Sequence, residues 1–280
     1  VDTEPIAVTG ATGRLGGRVA RRLADAGVPQ RLLVRDPARA PRLPGATAVP
    51  APYGDGEAIR RALDGVGTVL MVSASESPDR VAQHLTFVDA AAAAGVAHLV
   101  YVSFYRAAPD AIFTLARDHW ATEQHVRASG LRWTFLRDDL YADFLPGMVG
   151  ADGVIRGPAG NGRVAAVAQD DIADVAAVVL RDPAAHAGRT LDLTGPQELT
   201  LAELADVLTA VTGRTVTYRP ETVEEAYASR AAYGAPDWQV DAWVSTYTAI
   251  AAGELAGVSP AVPDTTGHPA RTVEQVLRAR

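Results

Sequence analysis

The chain has 280 residues, of which 26 are basic, and all 26 are arginine; it contains no lysine and no cysteine. Those absences exclude Schiff-base catalysis, a phosphate loop closed by Gly-Lys-Ser/Thr, thiolate chemistry, disulfides and Cys-ligated zinc. A net charge of −7 argues against a nucleic-acid groove, and no apolar run reaches the roughly 18–20 residues that span a bilayer. The expectation is a soluble cytoplasmic protein, with no nucleic-acid and no membrane partner.

In chain order, short β-branched runs alternate with amphipathic ones through the first 140 residues. Strands are predicted at Ile6–Thr9, Arg31–Val34, Ala46–Val49, Val69–Ser73, Leu99–Ser103 and Trp133–Leu136. Helices are predicted at Leu15–Ala26, Glu57–Leu63, Pro78–Ala94 and Thr114–Ser129. Ser77-Pro78 reads as an N-cap followed by proline at the first helical position. Gly27, Gly95 and Gly130 each follow a helix, as a left-handed cap requires. Short apolar strands separated by helices predict an α/β fold, a doubly wound parallel Rossmann sheet.

Beyond about residue 145 glycines crowd the chain, and loops and short strands are expected. A helix at Asp171–Arg181 and a strand at Thr190–Thr194 follow. Thr200/Glu203 and Thr222/Glu225 are capping boxes for helices at Leu201–Thr212 and through Tyr233, with a strand at Thr215–Tyr218 between them. A further helix carries Trp238, Trp243 and Tyr247, which suit a core or the interface of a homodimer. A short helix closes the chain from Arg271. The expected division is a dinucleotide-binding domain, residues 1–150, and a smaller α+β substrate-covering region, residues 151–280. Part of 163–194 returns to the main sheet.

The strongest chemical signal is Thr9-Gly10-Ala11-Thr12-Gly13-Arg14-Leu15-Gly16, set between the first strand and the first helix. Glycines at 10, 13 and 16 permit a tight turn, approach of a pyrophosphate to backbone N–H groups, and close packing of helix on strand. The end of the second strand selects the dinucleotide: an acid there binds the ribose hydroxyls of NAD(H), an arginine the 2′-phosphate of NADPH. Arg35 stands there, with Arg39 in reach, and favours NADPH. Asp36 either caps the next turn or favours NAD(H). Asp55 is a candidate adenine contact or a helix N-cap. Ser73, Ala74 and Ser75 end the fourth strand, where backbone contacts to the cofactor are expected. Ser103, Phe104 and Tyr105 end the fifth, where a reacting substrate would lie; Ser103 and Phe104 are candidate cofactor contacts and Tyr105 a candidate substrate contact.

The glycine triplet, Arg35, Val102-Ser103, His119-Trp120-Ala121-Thr122-Glu123, Leu136-Arg137-Asp138-Asp139-Leu140-Tyr141 and Gly160-Asn161-Gly162 resemble the NmrA-like branch of the atypical short-chain dehydrogenases. Within it the likeness runs to the type 2 quinone reductases and triphenylmethane reductases. The resemblance covers most of the chain and is weakest after Arg219. It implies NADPH and an aromatic or quinonoid hydride acceptor.

Aligned on Glu123, the lysine of the usual dehydrogenase helix falls at His119 and its tyrosine at Leu115, so the usual proton donor is missing. Reduction of a simple ketone gives a basic alkoxide that wants a matched acid. A hydroquinone anion, with a phenol pKa of about 10, needs little help, and a cationic dye needs no proton. The site therefore fits a quinone or dye better than an alcohol or sugar. His119 and Tyr141 are the candidate catalytic groups, and Tyr105, Tyr141 and Phe144 the candidate substrate pocket for a flat ring. No His-x-x-x-His pair suggests metal, and no flavin is expected. Two alternatives stay open. One is a redox sensor that binds the dinucleotide without turnover. The other is a tailoring reductase acting on a polyketide quinone, supplying a reduced substrate to an oxygenase.

Overall fold

The computed structural model describes residues 4–280. The chain begins with β1 (Ile6–Thr9), α1 (Arg14–Asp25), β2 (Gln30–Val34), β3 (Ala46–Pro50), α2 (Gly56–Ala62) and β4 (Thr68–Val72). It continues through α3 (Arg80–Ala93), β5 (His98–Phe104), α4 (Thr114–Ala128) and β6 (Arg132–Asp138). Next come β7 (Val154–Gly157), β8 (Arg163–Val164), α5 (Gln169–Arg181) and β9 (Arg189–Leu193). The last elements are β10 (Leu199–Thr200), α6 (Leu201–Thr212), β11 (Thr217–Pro220), α7 (Val223–Arg230), α8 (Asp237–Ala251), α9 (Ala261–Thr266) and α10 (Val273–Arg278).

Seven strands form the main sheet in the order β3-β2-β1-β4-β5-β6-β9. β3, β2, β1, β4 and β5 pair in parallel. Every residue of β5 is buried, as a strand covered on both faces requires. This is the doubly wound α/β sheet predicted from the alternation. The strand order reverses between β1 and β4, the position at which folds of this kind open a crevice at the carboxyl ends of their strands.

The chain forms two units that interleave in sequence. One contains residues 4–103, 118–137 and 169–191; the other contains 104–117, 138–168 and 192–280. The division predicted at residue 150 differs in two places: segments 104–117 and 138–150 group with the second unit. Segment 169–191, inside the stretch expected to return to the main sheet, groups with the first. The return of α5 to the first unit has a local cause: Arg22 Nε donates to Asp174 Oδ1 at 2.6 Å, its Nη2 to Asp170 Oδ1 at 2.9 Å, and Arg18 Nη1 to Gln169 Oε1 at 2.9 Å. These contacts staple α1 to α5.

Each unit has its own core. Phe87, Leu99, Tyr101, Val126 and Phe135 lie at the centre of the first. Phe104, Phe113, Ile155, Leu204, Tyr247 and Ile250 lie at the centre of the second. Two small two-stranded sheets, β7 with β11 and β8 with β10, complete the second unit. Tyr247 of the aromatic helix is core, with the Arg230 guanidinium 4.9 Å from its ring centre.

Most predicted boundaries agree to within two residues. Both capping boxes are present, and a third, Thr272/Gln275, starts α10. The helix through Tyr233 ends at Arg230 and tightens to a 3-10 turn at Ala231–Tyr233. α9 was not anticipated. The Ser77-Pro78 signal is corrected. α3 begins at Arg80, and Arg80 N donates to Ser77 O at 3.1 Å. Ser77-Pro78-Asp79-Arg80 is thus a β-turn with proline at its second position, where a fixed φ serves equally well.

Candidate functional site

After β1 the chain turns at Gly10, whose φ of +64° suits glycine. Gly13 N donates to Gly10 O at 2.8 Å, and Gly13 is the N-cap of α1 without a side-chain capping bond. A Cβ on Gly16 would overlap the Gly10 carbonyl oxygen, so a side chain there would push α1 off the turn. The first turn of α1 carries no acidic residue. Its N–H groups and the positive end of its dipole are therefore open to an anion, with no carboxylate in competition. The turn fits a pyrophosphate on the backbone of Thr12, Arg14, Leu15 and Gly16, while the Gly13 N–H is taken by Gly10 O.

Beside the turn lies a closed hydrogen-bond ring. The β1–β4 register ends at Val8 opposite Leu70, and β4 runs on. Val72 N donates to Thr9 Oγ1 at 2.8 Å, Thr9 Oγ1 and Tyr53 Oη lie 2.7 Å apart, and Tyr53 Oη donates to Val72 O. One direction of donation satisfies all three groups: Val72 N–H to Thr9, Thr9 to Tyr53, Tyr53 to Val72 O. Two side chains thus complete the main-chain pairing that β1 abandons.

Two residues later the same device recurs at Ala74. Ala74 N donates to His84 Nε2 at 2.9 Å, and Arg80 Nε donates to Ala74 O at 3.0 Å. Arg80 is buried, at 5% exposure. It also donates from Nη2 to His119 Nε2 at 2.9 Å and from Nη1 to Asp118 Oδ2 at 3.4 Å. A donor at each Nε2 fixes the proton of both imidazoles on Nδ1. His84 Nδ1 then donates to Thr122 Oγ1, and His119 Nδ1 to Tyr101 Oη, each at 2.9 Å. Burial first, and the Arg80 charge second, push His84 down to about 3 and hold His119 well below the ordinary histidine range.

Several predicted site residues therefore take places other than those expected. His119 is interior, neutral and bonded at both nitrogens, not set out toward a ribose or substrate. The Ser103 hydroxyl donates to Glu123 Oε1 at 2.7 Å and is fully buried, which leaves no side-chain contact for a ribose. The N–H and the C=O of Ala74 are both engaged by side chains, in place of the backbone contact expected there. Asp55 Oδ1 accepts from Ala58 N and caps α2. Asp36 Oδ1 accepts from Ala38 N and caps the turn Pro37–Arg39. Asp36 therefore serves as a cap, and Arg35 and Arg39 lie exposed beside it. Phe104 belongs to the core of the second unit, 4.8 Å from the Phe113 ring centre.

The predicted acceptor residues all belong to the second unit. Tyr105 is buried; its hydroxyl donates to Ala256 O at 3.2 Å and the Arg106 guanidinium lies 5.2 Å from its ring centre. Tyr105 thus holds the turn at Ala256 and offers little ring to a ligand. Tyr141 and Phe144 meet edge to face, with ring centres 5.4 Å apart, and Phe144 is 48% exposed. Tyr141 Oη donates to Asp138 Oδ2 at 2.8 Å. Next to it, Asp139 is fully buried; Leu140 N donates to its Oδ1, and burial pushes its carboxyl up to about 7.

Sequence reasoning passed over Tyr53, Arg80 and His84. A signal existed for the last two. Arg80, His84, Phe87, Val88 and Ala91 fall on the buried face of α3. A cation and an imidazole in that apolar spacing must have polar partners inside.

Residues 2–235 match the model of the NmrA-like family. The chain is 35% identical to an NAD(P)H azoreductase of Xenophilus azovorans, covering 98% of this chain and 97% of that protein. It is 39% identical to the (4-alkanoyl-5-oxo-2,5-dihydrofuran-3-yl)methyl phosphate reductase of Streptomyces griseus, covering 95% and 94%. An NADPH-dependent quinone oxidoreductase of Escherichia coli, solved with NADPH, superposes with a TM-score of 0.89 at 34% identity, covering 98% of this chain and 99% of that one. The predicted resemblance is thereby met: the chain belongs to the NmrA-like family.

Proposed function

We propose that this chain is an NADPH-dependent reductase that passes hydride directly to a quinone or another flat, electron-poor conjugated acceptor, without flavin or metal. The chain is an oxidoreductase of the NAD(P)H-dependent kind, as its relatives are. The observation that carries the finer reading is the absence of an acid at the dehydrogenase position. Leu115 replaces the tyrosine, and His119 is held neutral with both nitrogens engaged. An acceptor whose hydride adduct is already a stable anion or neutral molecule suits such a site. A quinone and an azo compound are conjugated and electron-poor. So is an acyl-dihydrofuranone, the acceptor in the relative at 39% identity.

When bound, NADPH supplies the hydride. The amides of Thr12, Arg14, Leu15 and Gly16 would hold its pyrophosphate, and Arg35 with Arg39 would pair the 2′-phosphate, for which a planar guanidinium is well matched. Ser73 and Ser75 edge the nicotinamide half. Tyr141 and Phe144 offer a ring face, with stacking worth about 0.5–1.5 kcal/mol beyond area burial. The remaining catalytic work is to hold the two reacting carbons at contact distance.

Oxidation of NADPH, followed by loss of nicotinamide absorbance, tests the reading against benzoquinone, anthraquinones, an azo dye, a triphenylmethane dye, an acyl-dihydrofuranone and simple aldehydes. Turnover with one or more conjugated acceptors and none with aldehydes is expected. NADPH binding without turnover on any of them would make the chain a sensor. Arg35→Ala is expected to weaken NADPH by about tenfold to a hundredfold, the worth of a charged hydrogen bond, and to leave NADH unchanged. Equal loss for both dinucleotides would remove Arg35 from the 2′-phosphate.

A further inference from the structure

The end of β4 and the loop after it present four main-chain groups where β1 has ended, the N–H and C=O of Val72 and of Ala74. Val72 and Ala74 are half-buried, and a main-chain group left without a partner there would be costly. Four side chains from three parts of the chain meet them: Thr9 of β1 and Tyr53 after β3 at Val72, and His84 and Arg80 of α3 at Ala74. Every proton in the Ala74 arm has an assigned direction. Arg80 can only donate, so His119 Nε2 must accept. Ala74 N–H can only donate, so His84 Nε2 must accept, and its Nδ1 proton goes to Thr122, whose hydroxyl in turn donates to Asp118 O at 2.8 Å. The segment from Val72 to Ala74 is thus held by the protein itself.

We propose that Arg80 and His84 are positioning residues for the dinucleotide, which clamp the two polar groups of the Ala74 peptide so that Ser73 and Ser75 are set before the cofactor arrives. This rests on the NADPH reading above. Neither side chain touches the cofactor. A loop ordered in advance loses less entropy on binding, so the clamp is felt in affinity. It also reassigns the residue in the place of the dehydrogenase lysine: His119 is the acceptor that orients Arg80, not a proton donor.

The test uses wild type, His84→Phe, His84→Gln and Arg80→Met. NADPH affinity is read by fluorescence titration, KM and kcat with the best conjugated acceptor, and imidazole protonation by 15N NMR. In the wild type both His84 and His119 should appear as neutral Nδ1–H tautomers at pH 7. His84→Phe fills the space without an acceptor, and should raise Kd and KM for NADPH about tenfold with kcat changed less than about threefold. His84→Gln should recover most of the loss, because its amide oxygen stands as many bonds from Cβ as the imidazole Nε2. Arg80→Met should release the His119 tautomer to a mixture. If Arg80→Met does not fold, the two His84 variants decide. Wild-type binding with an unchanged Kd in His84→Phe overturns the clamp alone. So does a loss of the same size in the Gln and Phe variants. A wild type that binds no NADPH overturns the dinucleotide reading and the clamp with it.

Discussion

Glu123→Ala is expected to lower the stability of the fold by about 3–5 kcal/mol, the cost of breaking a buried ion pair from one side. Glu123 is fully buried in α4. Arg137 of β6 grips it with a two-pronged fork, Nε to Oε1 at 2.8 Å and Nη2 to Oε2 at 2.7 Å. Arg127, one turn further along α4, adds 3.3 Å to Oε2, and Ser103 at the end of β5 donates to Oε1 at 2.7 Å. One carboxylate therefore ties two strand ends and a helix. Alanine leaves the Arg137 guanidinium and the Ser103 hydroxyl facing an apolar space. Glutamine keeps the shape but turns an N–H₂ toward a guanidinium, and should cost less than alanine yet more than 1 kcal/mol. Replacing both partners, Glu123→Leu with Arg137→Met, should recover most of the loss, because desolvation of the pair cancels much of its attraction. Urea unfolding at constant m-value measures all three. A loss below about 1 kcal/mol for Glu123→Ala would show that water reaches the fork.

The elements most legible in the sequence are those with local causes. Strand and helix alternation, the glycine triplet and the two capping boxes each depend on residues within a few positions of one another. The structure has them where periodicity and capping put them. Less legible was anything fixed by partners far along the chain. Pro78 looks the same in a helix start as in a β-turn; what selects the turn is Arg80, drawn inward to Ala74 O. Ser103 reads as a strand-end hydroxyl facing a crevice until Glu123, 20 residues on, claims it. Interleaving of the two units has the same origin. Residues 104–117 leave the sheet at Tyr105, whose hydroxyl is anchored 151 residues away at Ala256. Such pairings have no signature in local spacing. His119 lies between these cases. Its position in the family pattern marked it as departing from the usual lysine, but its neutrality comes from burial first and the Arg80 charge second, and only the fold supplies either.

Acid should unfold this protein early, with stability falling steeply between about pH 6.5 and pH 4. His84 and His98 are buried and neutral, pushed by burial to about 3 and about 4, and His119 lies well below the ordinary value. In the unfolded chain each titrates near 6.5. Between those limits the unfolded state binds more protons, so stability is complete above the unfolded value and is lost as pH falls. Each histidine contributes a slope of about 1.4 kcal/mol per pH unit. Asp139 runs the other way. Its carboxyl titrates at about 7 when folded and near 4 when unfolded, so acidification over that range stabilises the fold and cancels about one of the three histidines. From these four groups a net slope of about 3 kcal/mol per pH unit remains, while Asp118, raised by burial, and His186, lowered by it, act in opposite directions. Two units of acidification consume much of the ~5–15 kcal/mol typical of a folded protein. Urea midpoints at pH 7, 6, 5 and 4.5 give the slope directly. His98 allows attribution, since it lies away from the cofactor turn. Thr134 Oγ1 donates to His186 O, so His98 Nε2 must donate to Thr134, and its buried Nδ1 has no partner among the described residues. His98→Gln should therefore make the slope shallower by one proton, about 1.4 kcal/mol per pH unit. A slope unchanged by that substitution would mean that His98 takes up its proton in the folded state, and stability that rises on acidification would mean the same of all three.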